Sequence, residues 1–185
     1  MVKTWLISDT HFGHQNIYKF VDQDGNPIRR FTDPWYADNT EKGDELMIHW
    51  WKTLIKPQDK VYHLGDVTMG RKSLEVLEML PGRKVLISGN HDRWKAKDLI
   101  PYFDDIKGSL KVGKFFLTHI PIHPDSIPHW ADGVIHGHIH EKLVRIGNEP
   151  DVRYINASVE QTGGKPIALQ DVIDGRFHPA KGIFL

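Results

Sequence analysis

The run Lys84-Val85-Leu86-Ile87-Ser88 is apolar and β-branched, and it stops abruptly at Gly89-Asn90-His91-Asp92. A short continuous apolar run of this kind reads as a strand buried on both faces, as in parallel sheets. Compact polar residues directly after such a strand sit where open α/β sheets collect their ligands. Asn offers an amide oxygen, His a ring nitrogen and Asp a carboxylate, while Gly lets the backbone turn sharply enough to aim them. The pattern recurs. Thr4 to Ser8 runs into Asp9-Thr10-His11, and Lys60-Val61-Tyr62-His63-Leu64 runs into Gly65-Asp66. Between the second and third runs, Lys72 to Leu80 reads as a helix with Leu74, Leu77 and Leu80 inward, stopped by Pro81-Gly82. Strand, helix, strand predicts a right-handed crossover between parallel neighbours. Asp66 and Asn90 then emerge at one carboxyl-terminal sheet edge, joined by Asp9 and His11 if the first strand lies parallel.

The rest of the chain supplies packing and further polar ends. Residues 12–36 read mainly as a long loop, from which Arg29 and Arg30 either reach a phosphate or form a solvated pair. A packing helix is predicted from about Asn39, capped by Asn39 or Thr40, with Leu46, Met47, Trp50, Trp51, Leu54 and Ile55 on one face and Pro57 after its end. His49 on that helix is structural or solvated. Phe103 to Leu110 and Lys114 to Thr118 read as a hairpin about Gly113, and the second of these strands ends in His119. His123 and His129 lie in a proline-rich loop, exposed or facing substrate. Val134-Ile135-His136 runs into Gly137-His138-Ile139-His140. The two-residue period of extended chain puts His138 and His140 on one face, and Asp9 and His11 likewise. Residues 153–156 and 167–184 are expected to complete a second sheet. Without repeats or a linker, residues 1–185 read as a single domain.

Composition narrows the chemistry. Lys plus Arg and Asp plus Glu both total 24, so there is no net field to draw in nucleic acid or an anionic membrane, a local basic patch aside. Cysteine is absent, which excludes disulfides and thiolate metal sites and fits a reducing compartment. No run has a signal-peptide pattern or membrane-spanning length, so a cytoplasmic, soluble protein is expected. Histidine, at 12, is the outlier, and many cluster with Asp, Asn and Gly. Asp9, His11, Asp66, Asn90, His119, His138 and His140 together offer carboxylates, an amide and imidazoles. That is more than one tetrahedral structural zinc takes, and enough for two metals sharing a carboxylate. The mixed oxygen and nitrogen set suits Mn²⁺, Fe, Zn²⁺, Co²⁺ or Ni²⁺ better than Ca²⁺ or Mg²⁺, and manganese is put first. His91 is left over, placed to bond a phosphoryl oxygen or protonate a leaving alcohol.

The succession Asp9-x-His11, Gly65-Asp66, Gly89-Asn90-His91-Asp92, His119 and Gly137-His138-x-His140 resembles the signature of the calcineurin-like metallophosphoesterases, in order from residue 9 to 140. Asp9-Thr10-His11-Phe12-Gly13-His14 also resembles a group of small bacterial and phage phosphoesterases. The resemblance implies an α/β (α+β) fold: two mixed β-sheets in a sandwich flanked by helices, with the dimetal site at the strand ends. It implies that Asp9, His11, Asp66 and His140 hold one metal, that Asp66 bridges, and that Asn90, His119 and His138 hold the other. His91 corresponds to the family's catalytic histidine, assisting the leaving oxygen while a metal-bridging hydroxide attacks phosphorus. One departure stands out: many members carry an Asp three residues after the bridging one, orienting the catalytic histidine, where this chain has Met69. Arg93 either contacts phosphate or makes a surface salt bridge, and His14 is read as a second substrate contact. The expected partner is a small phosphate ester. Two other functions compete with hydrolysis of a phosphomonoester or phosphodiester. One is a protein-binding scaffold, as in the retromer subunit of this fold, and the other a repair nuclease.

Overall fold

A computed structural model describes residues 1–29, 31 and 42–184. The expected helix cap at Asn39 or Thr40, and Arg30, lie outside the described residues.

The apolar runs form parallel strands, and the two-residue period divides their side chains between two cores. β1 (Thr4–Ile7), β2 (Lys60–His63), β3 (Arg83–Ile87) and β4 (Asp105–Lys107) pair in parallel in that order. Trp5, Ile7, Val61 and Leu86 face one side, where α1 (Gly43–Leu54) covers them with Leu46, Met47 and Trp51. Leu6, Tyr62, Val85 and Ile87 face the other side. Burial on both faces is why these strands read as unbroken apolar runs rather than alternating ones.

The chain then crosses to a second sheet. β5 (Ser109–Val112) and β6 (Phe115–Thr118) form an antiparallel hairpin about Gly113, and β7 (Gly133–His136) pairs parallel to β6. β8 (Arg145–Ile146) and β9 (Glu149–Pro150) make a short ribbon, and β10 (Tyr154–Asn156) adds parallel to β7. Leu117, Ile135, Ile155 and Ala157 pack against the second face of the first sheet. The result is two mixed sheets packed on one another, with helix on the outer face of the first, as expected.

Two expectations on the fold change, and a third is refined. The segment 103–110 is not one strand: it is split between the sheets, β4 in the first and β5 in the second. Residues 167–184 do not complete the second sheet. β11 (Ile167–Ala168) returns to the first, antiparallel to β1, and Leu169–Ile173 coils into a helix. A terminal strand goes to whichever sheet edge is open, and here the free edge beside β1 is taken. The third is a refinement: the helix read over Lys72 to Leu80 is present at Arg71–Met79, wound as a 3₁₀ helix. Leu74, Leu77 and Leu80 recur every three residues, the repeat that eclipses side chains on a three-residue turn, and all three are buried.

The start of the first sheet is tied down by Asp59, which accepts hydrogen bonds from the Lys3 and Lys56 amides at 2.9 and 3.0 Å and from Trp5 Nε1 at 3.1 Å. Burial alone would raise the Asp59 carboxyl pKa, but these donors outweigh it and hold it below the ordinary carboxylate value. A depressed folded-state pKa stabilises above the unfolded value of about 3.9 and is lost as pH falls through the folded one. Asp59→Asn should therefore cost on the order of 2 kcal/mol at neutral pH. The gap to wild type in urea unfolding should narrow as pH drops below about 4. A gap unchanged down to the acid transition would contradict this account.

Candidate metal centre

The carboxyl ends of β1, β2, β3, β6 and β7 converge, because both sheets run their parallel strands toward the same end. Asp9 and His11 follow β1, Asp66 follows β2, Asn90 and His91 follow β3, His119 follows β6, and His138 and His140 follow β7. Gly137 makes the approach of the two sheets possible. A Cβ there would stand 1.9 Å from Ser8 Oγ and 2.3 Å from Asp9 Oδ2. Gly89 serves the same purpose rather than supplying an unusual turn, since a Cβ would stand 2.3 Å from Asp66 Oδ1.

Two groups of ligand atoms result, each gathered within 4.8 Å: Asp9, His11 and His140, and Asp66, His119 and His138. Asp66 Oδ2 joins them, 3.5 Å from His11 Nε2 and 3.4 Å from His119 Nε2. Asn90 Oδ1 lies 2.9 Å from His119 Nε2. The strand pleat is not what brings these residues together. Asp9, His11, Asp66, His138 and His140 all have left-handed backbone, with φ of 58°, 47°, 56°, 71° and 51°. Among the described residues no other non-glycine residue does. The expected shared faces of Asp9 with His11 and of His138 with His140 are thus replaced by turns, and the last two histidines part company into different groups. Such backbone costs about 1–3 kcal/mol per residue and persists only where the surroundings over-determine it.

Those surroundings are specific. The Asp9 amide bonds the Gly65 carbonyl and the His11 amide the Asp66 carbonyl, both at 3.0 Å. Arg29, far from solvated, is buried at 1% exposure. Its guanidinium donates to the Thr10 carbonyl at 2.9 Å and the Asp9 carbonyl at 2.5 Å, and it pairs with Glu160 at 2.7 Å. His63 accepts at Nδ1 from the Gly65 amide, so Nε2–H donates to Thr10 Oγ1, which donates onward to the Val67 carbonyl at 2.8 Å. Asp92 is a loop fastener, accepting the Asp66, Val67 and Gly89 amides at 2.8–2.9 Å.

The histidines are presented in ligand-competent form. His119 Nδ1–H donates to the Leu64 carbonyl at 2.7 Å and His140 Nδ1–H to Glu160 Oε1 at 3.0 Å, leaving each Nε2 for the site. Burial, followed by the positive charge of Arg29, pushes His11 well below the ordinary imidazole value, so it is neutral. Both its ring nitrogens are buried without a hydrogen-bond partner. Burial raises Asp66, but bonding and charge from His119 and the His91 amide prevail and hold it at about 2. A charged carboxylate beside a buried imidazole whose ring nitrogens have no partner is what a divalent cation requires.

A cavity of about 400 Å³ opens over this cluster, lined among others by His11, His14, His91, His138 and His140. His91 is exposed, its ring 5.4 Å from that of His11 and its amide bonded to Asp66 Oδ1 at 2.8 Å. Met69 is 41% exposed, and among the described residues none hydrogen-bonds the His91 ring. Arg93 turns its Nε to the Asn90 carbonyl at 3.3 Å and does not line this cavity. Glu160 and Ser158, which bonds Asp9 Oδ2 at 2.9 Å, were not anticipated. They follow β10 as the other site residues follow their strands, so the rule of polar residues after an apolar run would have found them.

The family profile of the calcineurin-like phosphoesterases matches residues 2–133. An uncharacterized protein of Methanocaldococcus jannaschii, MJ1445, is 33% identical over 180 residues, covering 94% of this chain and 90% of its own length. The Gene 66 protein of Mycobacterium phage L5 is 25% identical, covering 99% of both chains. The crystal structure of a protein of unknown function from Aquifex aeolicus, AQ665, superposes with a TM-score of 0.66 at 29% identity, covering 94% of this chain and 99% of that one.

Proposed function

Since the chain belongs to the calcineurin-like phosphoesterase family, we propose that it is a dimetal-dependent phosphoesterase acting on a small phosphomonoester or phosphodiester. The observation that carries this is the pair of ligand groups joined by Asp66, with both ring nitrogens of buried His11 lacking a partner. Asp9, His11, Asp66 and His140 would hold one divalent cation, and Asp66, Asn90, His119 and His138 the other. Manganese is the first choice for this donor set. When bound, such cations supply Lewis acidity toward phosphoryl oxygens and water acidified toward neutral pH.

The chain's own residues do the rest. Glu160 and the Leu64 carbonyl fix the tautomers of His140 and His119, so that each Nε2 faces the site. His91, exposed on the cavity and tethered through its amide to Asp66, hydrogen-bonds a phosphoryl oxygen and gives a proton to the departing oxygen. With methionine at position 69, no carboxylate three residues after Asp66 orients its ring. His14 lines the same cavity and contacts the substrate. Arg93 is not part of this proposal, because its guanidinium is turned to its own loop. The absence of cysteine supports a cytoplasmic setting.

The manganese-loaded protein should hydrolyse p-nitrophenyl phosphate or bis(p-nitrophenyl) phosphate. Chelation should abolish the activity and added Mn²⁺ restore it. A fully metallated preparation inert across a broad panel of phosphate esters would sink the enzyme reading in favour of a binding scaffold.

A further inference from the structure

The cavity over the histidine cluster is only half polar. Beside its imidazoles and the polar Glu141 and Lys142 it is lined by Ile17, Phe20, Ile28 and Ile139. These come from separate places: Ile17 from the 3₁₀ turn Gln15–Lys19, Phe20 and Ile28 from the loop after it, and Ile139 from between two candidate ligands. Ile17 is 4% exposed and anchors the wall, whereas Phe20 keeps 48% of its surface open. The Phe20 ring stands nearly perpendicular to that of His14, 5.6 Å between centroids at 83°. A lone half-exposed phenylalanine is ordinary on a protein surface. One that shares a concave site with isoleucines and with the imidazoles of a candidate metal centre is not. Apolar walls with a few convergent polar groups are how small-molecule sites are built. A bare phosphate would leave the four apolar side chains without a contact.

We propose that the wall receives the organic arm of the substrate, and that this arm is a planar aromatic ring stacked on Phe20. The inference rests on the phosphoesterase reading and deepens it. His91, which faces the departing oxygen in that reading, lines the same cavity, so the aromatic arm is the departing one. Phe20 is a binding residue that sets specificity and makes no contact with the reacting phosphorus.

Phosphonates test this without turnover, because their carbon–phosphorus bond resists hydrolysis. Binding of methylphosphonate, benzylphosphonate and cyclohexylmethylphosphonate to manganese-loaded protein would be measured by calorimetry. Benzylphosphonate should bind about tenfold tighter than either of the others. Phe20→Leu, which keeps an apolar side chain, should erase most of that preference, and Phe20→Ala all of it. Methylphosphonate affinity should stay unchanged in both variants. Equal affinity for the benzyl and cyclohexylmethyl compounds overturns the aromatic assignment. A benzyl preference that survives Phe20→Ala overturns the role of Phe20. Either result alongside hydrolysis of p-nitrophenyl phosphate leaves the enzyme reading intact, while loss of both fails the two together.

Discussion

Asp66→Ala should lose metal at both positions and with it all measurable hydrolysis, whereas His91→Ala should keep both metals and lose turnover by about 10²–10⁴-fold. The difference follows from position. Asp66 Oδ2 is the atom that reaches His11 on one side and His119 on the other, so its removal opens both ligand groups at once. His91 sits beside the cluster through a ring contact with His11 and offers the groups no ligand. Its backbone bond to Asp66 survives substitution by alanine, so the carboxylate keeps its orientation. Elemental analysis of the two variants after identical manganese loading separates the roles. Equal metal loss in both would show that the imidazole of His91 is a ligand and that the proton-transfer assignment is mistaken.

Arg29→Met should destabilise the fold by about 3–5 kcal/mol, the cost of leaving a buried partner charge uncompensated. The Glu160 side chain is 1% exposed, and its carboxyl is held at about 2 against burial by Arg29 and His140. Its Oε2 already lacks a hydrogen-bond partner, so only the His140 bond to Oε1 remains when the guanidinium goes. The Asp9 and Thr10 carbonyls lose their donors in the same step, and these hold the left-handed turn on which Asp9 and His11 are mounted. The melting temperature should fall on the order of 10 °C. Adding Glu160→Gln to Arg29→Met should recover part of the stability, because the orphaned charge is gone. It should not recover metal affinity, because His140 has lost the carboxylate that fixes its tautomer. Stability from urea unfolding without metal, set beside Mn²⁺ affinity, measures both. A single variant within 1 kcal/mol of wild type, or a double variant that binds metal normally, would refute the coupling.

How far the sequence reached differs between the frame and the fastenings. Three apolar runs ending in polar clusters led to the parallel sheet β1-β2-β3 and to a common edge for Asp9, Asp66 and Asn90, because a run buried on both faces leaves its signature in each residue. His119 and the pair His138 and His140 were found in the same way. The reasons given for local pairing were less secure. Alternation along extended chain does not unite Asp9 with His11, because both residues leave the strand for left-handed turns, and a preference for φ > 0 is written in neighbouring contacts rather than in an aspartate or histidine itself. Arg29 was misplaced for a related cause. An arginine in a loop is solvated by default, and only the arrival of Glu160, 131 positions later, makes its burial tolerable.

By itself the sequence determined which segments become buried strands and which polar residues stand at their ends, since hydrophobic burial and strand period act on neighbours a few residues apart. The tertiary structure alone decided which of those ends meet. It also decided which histidine joins which group, and which charge is sequestered to hold the turns in place. Those outcomes depend on pairings across the two sheets. No local pattern encodes a contact whose partners are brought within reach only when both sheets have closed.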